Sequence, residues 1–254
     1  MSKPDPEYAI YVEGLCKSFG NVCAVQNLSF RVQRGTVFGL LGKNGSGKST
    51  TAKLLTGLLK PASGSIYING NDISNNLLNV QKSIGILSDD MALINVLTAW
   101  EHLLMASSAY ELSAAEAKAR SEKLLLYFDL LGDRHKFPDQ LSLGMRKKLS
   151  LAMALVHNPK ILFLDEPFEG LDLVFIKSLC ELIESLVNKG VTIFLTSHFL
   201  SLMQKLLHTF AIIDCGKIVY NSDSENNLPI DSNLEDIFFN FVKTRPLTEL
   251  EWIG

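Results

Sequence analysis

The chain opens on a short polar lead, followed by two strand-like runs, Ile10–Leu15 and Leu28–Val32. In the second, Leu28, Phe30 and Val32 alternate with Ser29 and Arg31, so one face of that strand is expected to meet solvent. Thr36–Leu41 is apolar and precedes a glycine-rich turn, after which a helix is expected from about Lys48 to near Gly57. The stretch Ser63–Asp72 contains Asn69-Gly70, the strongest short hairpin signal, and Ile84–Leu87 is a further apolar run. From Leu97 to Val156 the pattern turns helical. Ser113-Ala-Ala-Glu116 forms a capping box for a helix bearing Leu124, Leu125 and Phe128, with Gly132 beyond its end. A second helix, from about Ser142 to Val156, sets Met145, Leu149, Ala152, Met153 and Val156 at helical spacing, with Pro159 beyond. Strand and helix then alternate: Ile161–Leu164, a helix over Val174–Asn188 closed by Gly190, Val191–Thr196, a helix from Phe199, and Ala211–Ile213. Continuous apolar strands separated by helices predict a parallel sheet covered on both faces. The helical block interrupts that alternation and so reads as an inserted lobe. No internal repeat is visible, and the one polar tract is Asn221–Asn227.

Composition narrows the class. Of 254 residues, 47% are hydrophobic and 20% charged, which supplies a core and excludes disorder as the main state. A net charge of -3 provides no global field for holding nucleic acid, so no nucleic-acid partner is expected. The mean hydropathy of +0.17 is high for a soluble monomer and hints at a large interface. No run reaches the roughly 18 to 20 apolar residues of a membrane-spanning helix. The start lacks the plan of a signal peptide, and Ser2 replaces the glycine that myristoylation needs. Cys16, Cys23, Cys180 and Cys215 form no CxxC pair and have no histidine at zinc spacing, so buried free thiols in a reducing cytosol are expected.

Three segments carry candidate chemistry. Gly42-x-x-x-x-Gly47-Lys48-Ser49 lies after an apolar strand and before a helix, the context of a phosphate-binding loop. Its glycines let the amides of Gly45 to Lys48 turn inward on an anion, at a helix N-terminus that favours negative charge. Lys48 is expected to reach the β- and γ-phosphates and the Ser49 hydroxyl to bind Mg²⁺. At the tip of Ile161–Leu164, Asp165 suits the Mg²⁺ shell and Glu166 is placed to polarise an attacking water. A third strand end delivers Ser197 and His198, the latter a candidate γ-phosphate sensor.

In this order the pieces resemble an ATP-binding cassette (ABC) ATPase. The resemblance covers roughly Tyr8 to Tyr220. It implies an α/β P-loop NTPase core, a mostly parallel sheet with flanking helices and an antiparallel β subdomain, plus an inserted α-helical lobe. Residues 8–88 and 158–220 would form the core, 89–157 the lobe and 221–254 a short tail. Leu141-Ser142-Leu143-Gly144-Met145 resembles the family's Leu-Ser-Gly-Gly-Gln signature, which implies that Ser142 and Gly144 face the γ-phosphate held by the other protomer. Phe19 resembles the aromatic that stacks on adenine, Glu169–Asp172 the dimer-contact loop, and His198 the switch histidine. The implied nucleotide set is then Phe19, Gly42, Asn44, Gly45, Ser46, Gly47, Lys48, Ser49, Thr50, Ser142 and Gly144. Glu166, His198 and Lys48 are the catalytic set, and Ser49, Asp165 and Asp89 the metal set. Three departures stand out: Leu143 and Met145 within the signature, and Asp89 where the family offers a Gln or Glu.

The segments SLGMRK, DEPFEGLD and LTAWEHL resemble ATP-binding subunits of bacterial exporters of drugs, antimicrobial peptides or polysaccharides, as does a terminal helix over Leu234–Phe239. The resemblance implies ATP and Mg²⁺ as ligands, a second cassette in a homodimer or heterodimer, and a separate membrane-spanning permease. It places the chain in the cytoplasm, peripheral on the membrane and not inserted in it. Met91–Tyr110 lies where the family receives the permease, with Trp100 as the expected anchor. A non-transport ABC module, switching a soluble partner, is the alternative. A small-molecule kinase would share the phosphate loop, whereas a GTPase would need an Asn-Lys-x-Asp reader that Asn188-Lys189-Gly190-Val191 does not supply.

Overall fold

The computed structural model describes residues 5–88, 90–91, 93–223 and 233–242. Asp89, most of the Asn221–Asn227 tract and the end of the tail lie outside the described residues. The chain begins with long strands β1 (Tyr8–Phe19) and β2 (Val22–Gln33), then β3 (Val37–Leu41), α1 (Lys48–Leu55), β4 (Ser63–Ile68) and β5 (Asn71–Asp72). Next come α2 (Leu77–Ser83), β6 (Ile84–Leu87), α3 (Ala99–Ala109), α4 (Ala114–Tyr127) and α5 (Leu143–Leu155). The last third holds β7 (Ile161–Asp165), α6 (Leu173–Asn188), β8 (Thr192–Ser197), α7 (Leu200–Met203), β9 (Thr209–Asp214), β10 (Lys217–Asn221) and α8 (Leu234–Phe241).

Two sheets result. One is antiparallel, in the order β2-β1-β4-β5, and the other runs β10-β9-β3-β8-β7-β6. Within the second, β9, β3, β8, β7 and β6 pair in parallel and β10 closes the edge antiparallel to β9. The parallel strands read as unbroken apolar runs because each feeds two cores. Val37 and Leu41, Leu162 and Leu164, and Ile193 and Leu195 pack with the helices of one face. Phe38 and Leu40, Ile161 and Phe163, and Phe194 pack with α1 and the antiparallel sheet on the other. The period of two thus sorts consecutive side chains into opposite layers. A ladder of rings, Phe30 on Phe38 at 5.2 Å, Phe38 on Phe194 at 5.7 Å and Phe194 on Phe163 at 5.4 Å, bonds the two sheets together.

Local signals account for the connections. Asn69 and Gly70 take φ values of 51° and 77°, the left-handed pair that a two-residue hairpin demands. Thr98 and Ser113 each close a capping box, with Glu101 and Glu116, at the starts of α3 and α4. Gly85 lets α5 lie directly on β6, since a Cβ there would collide with the Ala154 carbonyl.

Some expectations need correction. The first two strands are twelve residues each, longer than the apolar runs, because their outer halves pair as a hairpin beyond the core. Helix α2 was not foreseen, and α7 is a single turn. All four cysteines are free, but they are not buried: Cys23 and Cys215 are exposed, and Cys16 and Cys180 half-buried. Cys23 follows the turn of the β1–β2 hairpin, its thiol 3.5 Å from the Val25 carbonyl, and Cys215 sits in the β9–β10 turn at φ 47°, its thiol 3.8 Å from Asp214 Oδ1.

Candidate functional site

Strands β3, β8 and β7 are neighbours and parallel, so their C-terminal tips share one edge. β3 leads into the glycine loop, β7 ends on Asp165, and β8 ends on Ser197. Register sets Leu41 opposite Ser197 and Asp165 opposite Thr196. Three stretches far apart in sequence are thereby brought together by topology alone.

The loop from Gly42 to Ser49 turns through two glycines with positive φ, Gly45 at 78° and Gly47 at 111°. Gly47 caps α1, and a Cβ on it would lie 2.5 Å from the Ala24 carbonyl of β2. The loop borders an open cleft of about 480 Å³ lined by Asn44, Gly45, Gly47, Lys48, Ser49 and Thr50, and also by Glu166, Glu169, Cys23 and Cys215. Gly42 and Ser46 belong to the loop but do not line the cleft. Ser46 is buried, and its Oγ makes no hydrogen bond.

Lys48 is 5% exposed, and its ammonium donates to the carbonyls of Gly42 at 2.8 Å and Lys43 at 3.2 Å. It also lies 3.2 Å from Glu166 Oε1. That contact is ionic only, since Oε1 accepts no hydrogen bond. The other oxygen, Oε2, meets His198 Nδ1 at 2.9 Å and accepts from the His198 amide at 3.3 Å. Glu166 itself takes φ 46°, a left-handed conformation that costs a non-glycine residue roughly 1–2 kcal/mol. The surrounding bonds hold it there: its amide reaches Thr196 Oγ1 at 3.1 Å.

Asp165 is the second anchor. Its Oδ1 accepts from Ser49 Oγ at 3.2 Å and from the Thr196 hydroxyl. Two hard oxygen ligands from α1 and β7 therefore converge beside the glycine loop, the donor chemistry that suits Mg²⁺. Thr196, wholly buried, joins Asp165 to the Glu166 amide, a link the sequence did not single out.

The remaining candidates stand apart from this cleft. Ser142 is exposed and caps α5, its Oγ accepting from the Met145 amide at 3.2 Å. Gly144 follows it in the first turn, and neither lines the cleft. Phe19 is 49% exposed at the end of β1, with the Lys17 ammonium 5.3 Å above its ring; it adjoins the cleft only through Val22, its cross-strand partner. In the Met91–Tyr110 segment Trp100 is half-buried against the core, while Ile94, Val96 and Met105 present apolar surface. Lys147, buried on α5, was also unforeseen. Its ammonium donates to the Glu166 carbonyl at 2.8 Å and the Glu169 carbonyl at 2.7 Å.

A glycine loop at a strand-to-helix junction, facing an acidic strand tip and a histidine on the next strand, defines a P-loop nucleotide hydrolase built as a cassette. The chain belongs to the ABC transporter family, whose model matches residues 25–169. It is an ATP-binding subunit and an ATPase of that family. A daunorubicin resistance ATP-binding protein of Streptomyces coeruleorubidus is 37% identical over 211 residues, which is 83% of this chain and 67% of that protein. A lantibiotic transport ATP-binding protein of Streptococcus pyogenes is 34% identical over 230 residues, or 90% and 95% of the two chains. Among solved structures, an ATP-binding subunit of an ABC transporter superposes with a TM-score of 0.79 at 31% identity, covering 92% of this chain and 93% of that one. A dimeric post-hydrolysis cassette bound to ADP and phosphate shares the fold, with a TM-score of 0.77 at 23% identity over 84% of this chain and 97% of that one.

Proposed function

We propose that this chain powers an exporter through a sandwich of two cassettes, each ATP gripped by Lys48 of one and the Ser142 turn of the other. The observation that carries the reading is the convergence of Lys48, Glu166 and His198 at one strand edge, with Ser142 exposed outside its own cleft. Asn44, Gly45 and Gly47 to Thr50 cradle the phosphates through their amides, over the Gly42–Ser46 turn. Glu166, with its second oxygen on His198, orients water in line with the γ-phosphate, and Lys48 moves from the carboxylate onto the phosphates. Ser49 and Asp165 would hold Mg²⁺, which when bound neutralises charge on the β- and γ-oxygens. Asp89 remains a proposed contributor to that shell, and Phe19 the adenine stack.

The division into a core of 8–88 and 158–220, a lobe of 89–157 and a tail of 221–254 belongs to the same proposal. Among the described residues no helix is long and apolar enough to cross a membrane. In this proposal the permease is a separate subunit, met at Ile94, Val96 and Met105, and the chain works peripherally on the cytoplasmic face. The exporter class is supported by relatives named for daunorubicin resistance, bacitracin transport and lantibiotic transport. The second cassette is another copy or a related chain. Glu166→Gln tests the reading: it should retain ATP binding, trap an ATP-dependent dimer in light scattering, and lower turnover by roughly 10²-fold or more. Unchanged turnover would remove Glu166 from this role.

A further inference from the structure

We propose that Lys147 is a positioning residue for hydrolysis, tying the start of α5 to the backbone that aims Glu166. This rests on the assignment of Glu166 above. Lys147 is 4% exposed, and its ammonium bridges two carbonyls of one tight turn, Glu166 at 2.8 Å and Glu169 at 2.7 Å. The Glu169 amide also donates to the Glu166 carbonyl at 3.3 Å, so that carbonyl is held from two sides. Since Glu166 sits at φ 46°, rotation of its peptide would swing the carboxylate away from Lys48 and His198. A flexible lysine with three donors can span two carbonyls, whereas a charge on a helix face normally stays in water.

The start of α5 makes one further contact with this loop and one with α6 beyond it. The Leu143 side chain covers Gly170, whose Cβ would lie 2.5 Å from it, and the Lys148 ammonium sits 4.7 Å from the Phe175 ring centre. Ser142 and Gly144 are one turn N-terminal to Lys147 on α5. Occupation of that exposed N-terminus therefore bears on the Glu166 turn of the same chain through a rigid helix and one ammonium. Lys147 couples the phosphate-facing end of α5 to the water-orienting carboxylate, acting on turnover rather than on nucleotide affinity.

Steady-state hydrolysis and nucleotide titration of the purified full chain test this, with Lys147→Met, Lys147→Gln, Lys147→Arg and Glu166→Gln in parallel. Lys147→Met should lower kcat roughly 10- to 100-fold, the scale of a misplaced reacting group, with ATP affinity within about threefold of wild type. Lys147→Arg should restore most of the rate, and Lys147→Gln, which keeps a donor, should fall between. Wild-type kcat in folded Lys147→Met or Lys147→Gln would overturn the proposal, as would a loss confined to ATP affinity. An active Glu166→Gln would instead sink the underlying assignment.

Discussion

The Lys48 ammonium and the Glu166 carboxylate face each other at 3.2 Å, with side chains only 5% and 9% exposed. Each neutralises the other where nucleotide would bring its own charge. Removing one member of such a pair leaves its partner buried without a counter-charge, and breaking a buried pair typically costs about 3–5 kcal/mol.

Glu166→Gln should therefore unfold at a lower temperature than wild type without nucleotide, because Lys48 loses its counter-charge. Added ATP should raise its Tm by more than it raises the wild-type Tm, the phosphates supplying the missing anion. Thermal scans with and without ATP check this, and equal ATP-induced shifts would contradict it.

Thr196→Val should weaken both carboxylates at once. The hydroxyl accepts from the Glu166 amide at 3.1 Å and donates to Asp165, in a position with no solvent access. The Glu166 amide keeps the Thr196 carbonyl at 3.2 Å and Asp165 keeps Ser49, so losing the hydroxyl should cost about 0.5–1.5 kcal/mol in denaturant unfolding and depress ATP turnover, although valine matches threonine in shape.

Two glycines of the loop should respond differently. Gly45→Ala meets open space and pays only for a positive φ, about 1–2 kcal/mol, so nucleotide binding should weaken but persist. Gly47→Ala drives a methyl against the Ala24 carbonyl at φ 111°, and binding should be lost. Titration with a fluorescent nucleotide separates the two.

Acid should destabilise the chain through His157. Its Nε2 lies 2.9 Å from the Ile84 carbonyl, its ring stacks on Tyr110 at 3.5 Å, and its buried Nδ1 has no hydrogen-bond partner. Burial holds this imidazole below its ordinary value of 6.5, and Arg120 adds to the effect against the opposing Ile84 bond. The unfolded chain binds the proton first, so His157's contribution is intact above that value and is lost as pH falls through it towards the folded value. Tm should drop between about pH 7 and pH 5.5, and the drop should be smaller in His157→Phe, which keeps the stack.

Much of the site was legible because its residues are tied to strand tips by short spacing. Lys48 follows a five-residue apolar strand and a glycine loop, and Asp165 ends another such strand, so chain order alone places them. Asn69-Gly70 and Ser113-x-x-Glu116 were legible for a similar reason: their chemistry is satisfied within four residues. Thr196 and Lys147 were not. A threonine in a strand reads as a β-former, and only the cross-strand register against Asp165 gives its hydroxyl a purpose. A lysine in a run of basic residues on a helix reads as a solvated face, and only the docking of α5 on the Glu166 turn buries it. The short α2, seven residues without a side-chain cap, lacked any signal strong enough to announce it.

Cys23 and Cys215 come from distant parts of the chain and line the same cleft, both exposed. The chain therefore carries native labelling handles for its own occupancy. Bound nucleotide should slow maleimide attachment, and an attached dye should exclude nucleotide in turn. Preparations exposed to air without reductant should lose nucleotide binding to oxidation of these exposed thiols and regain it on adding reductant.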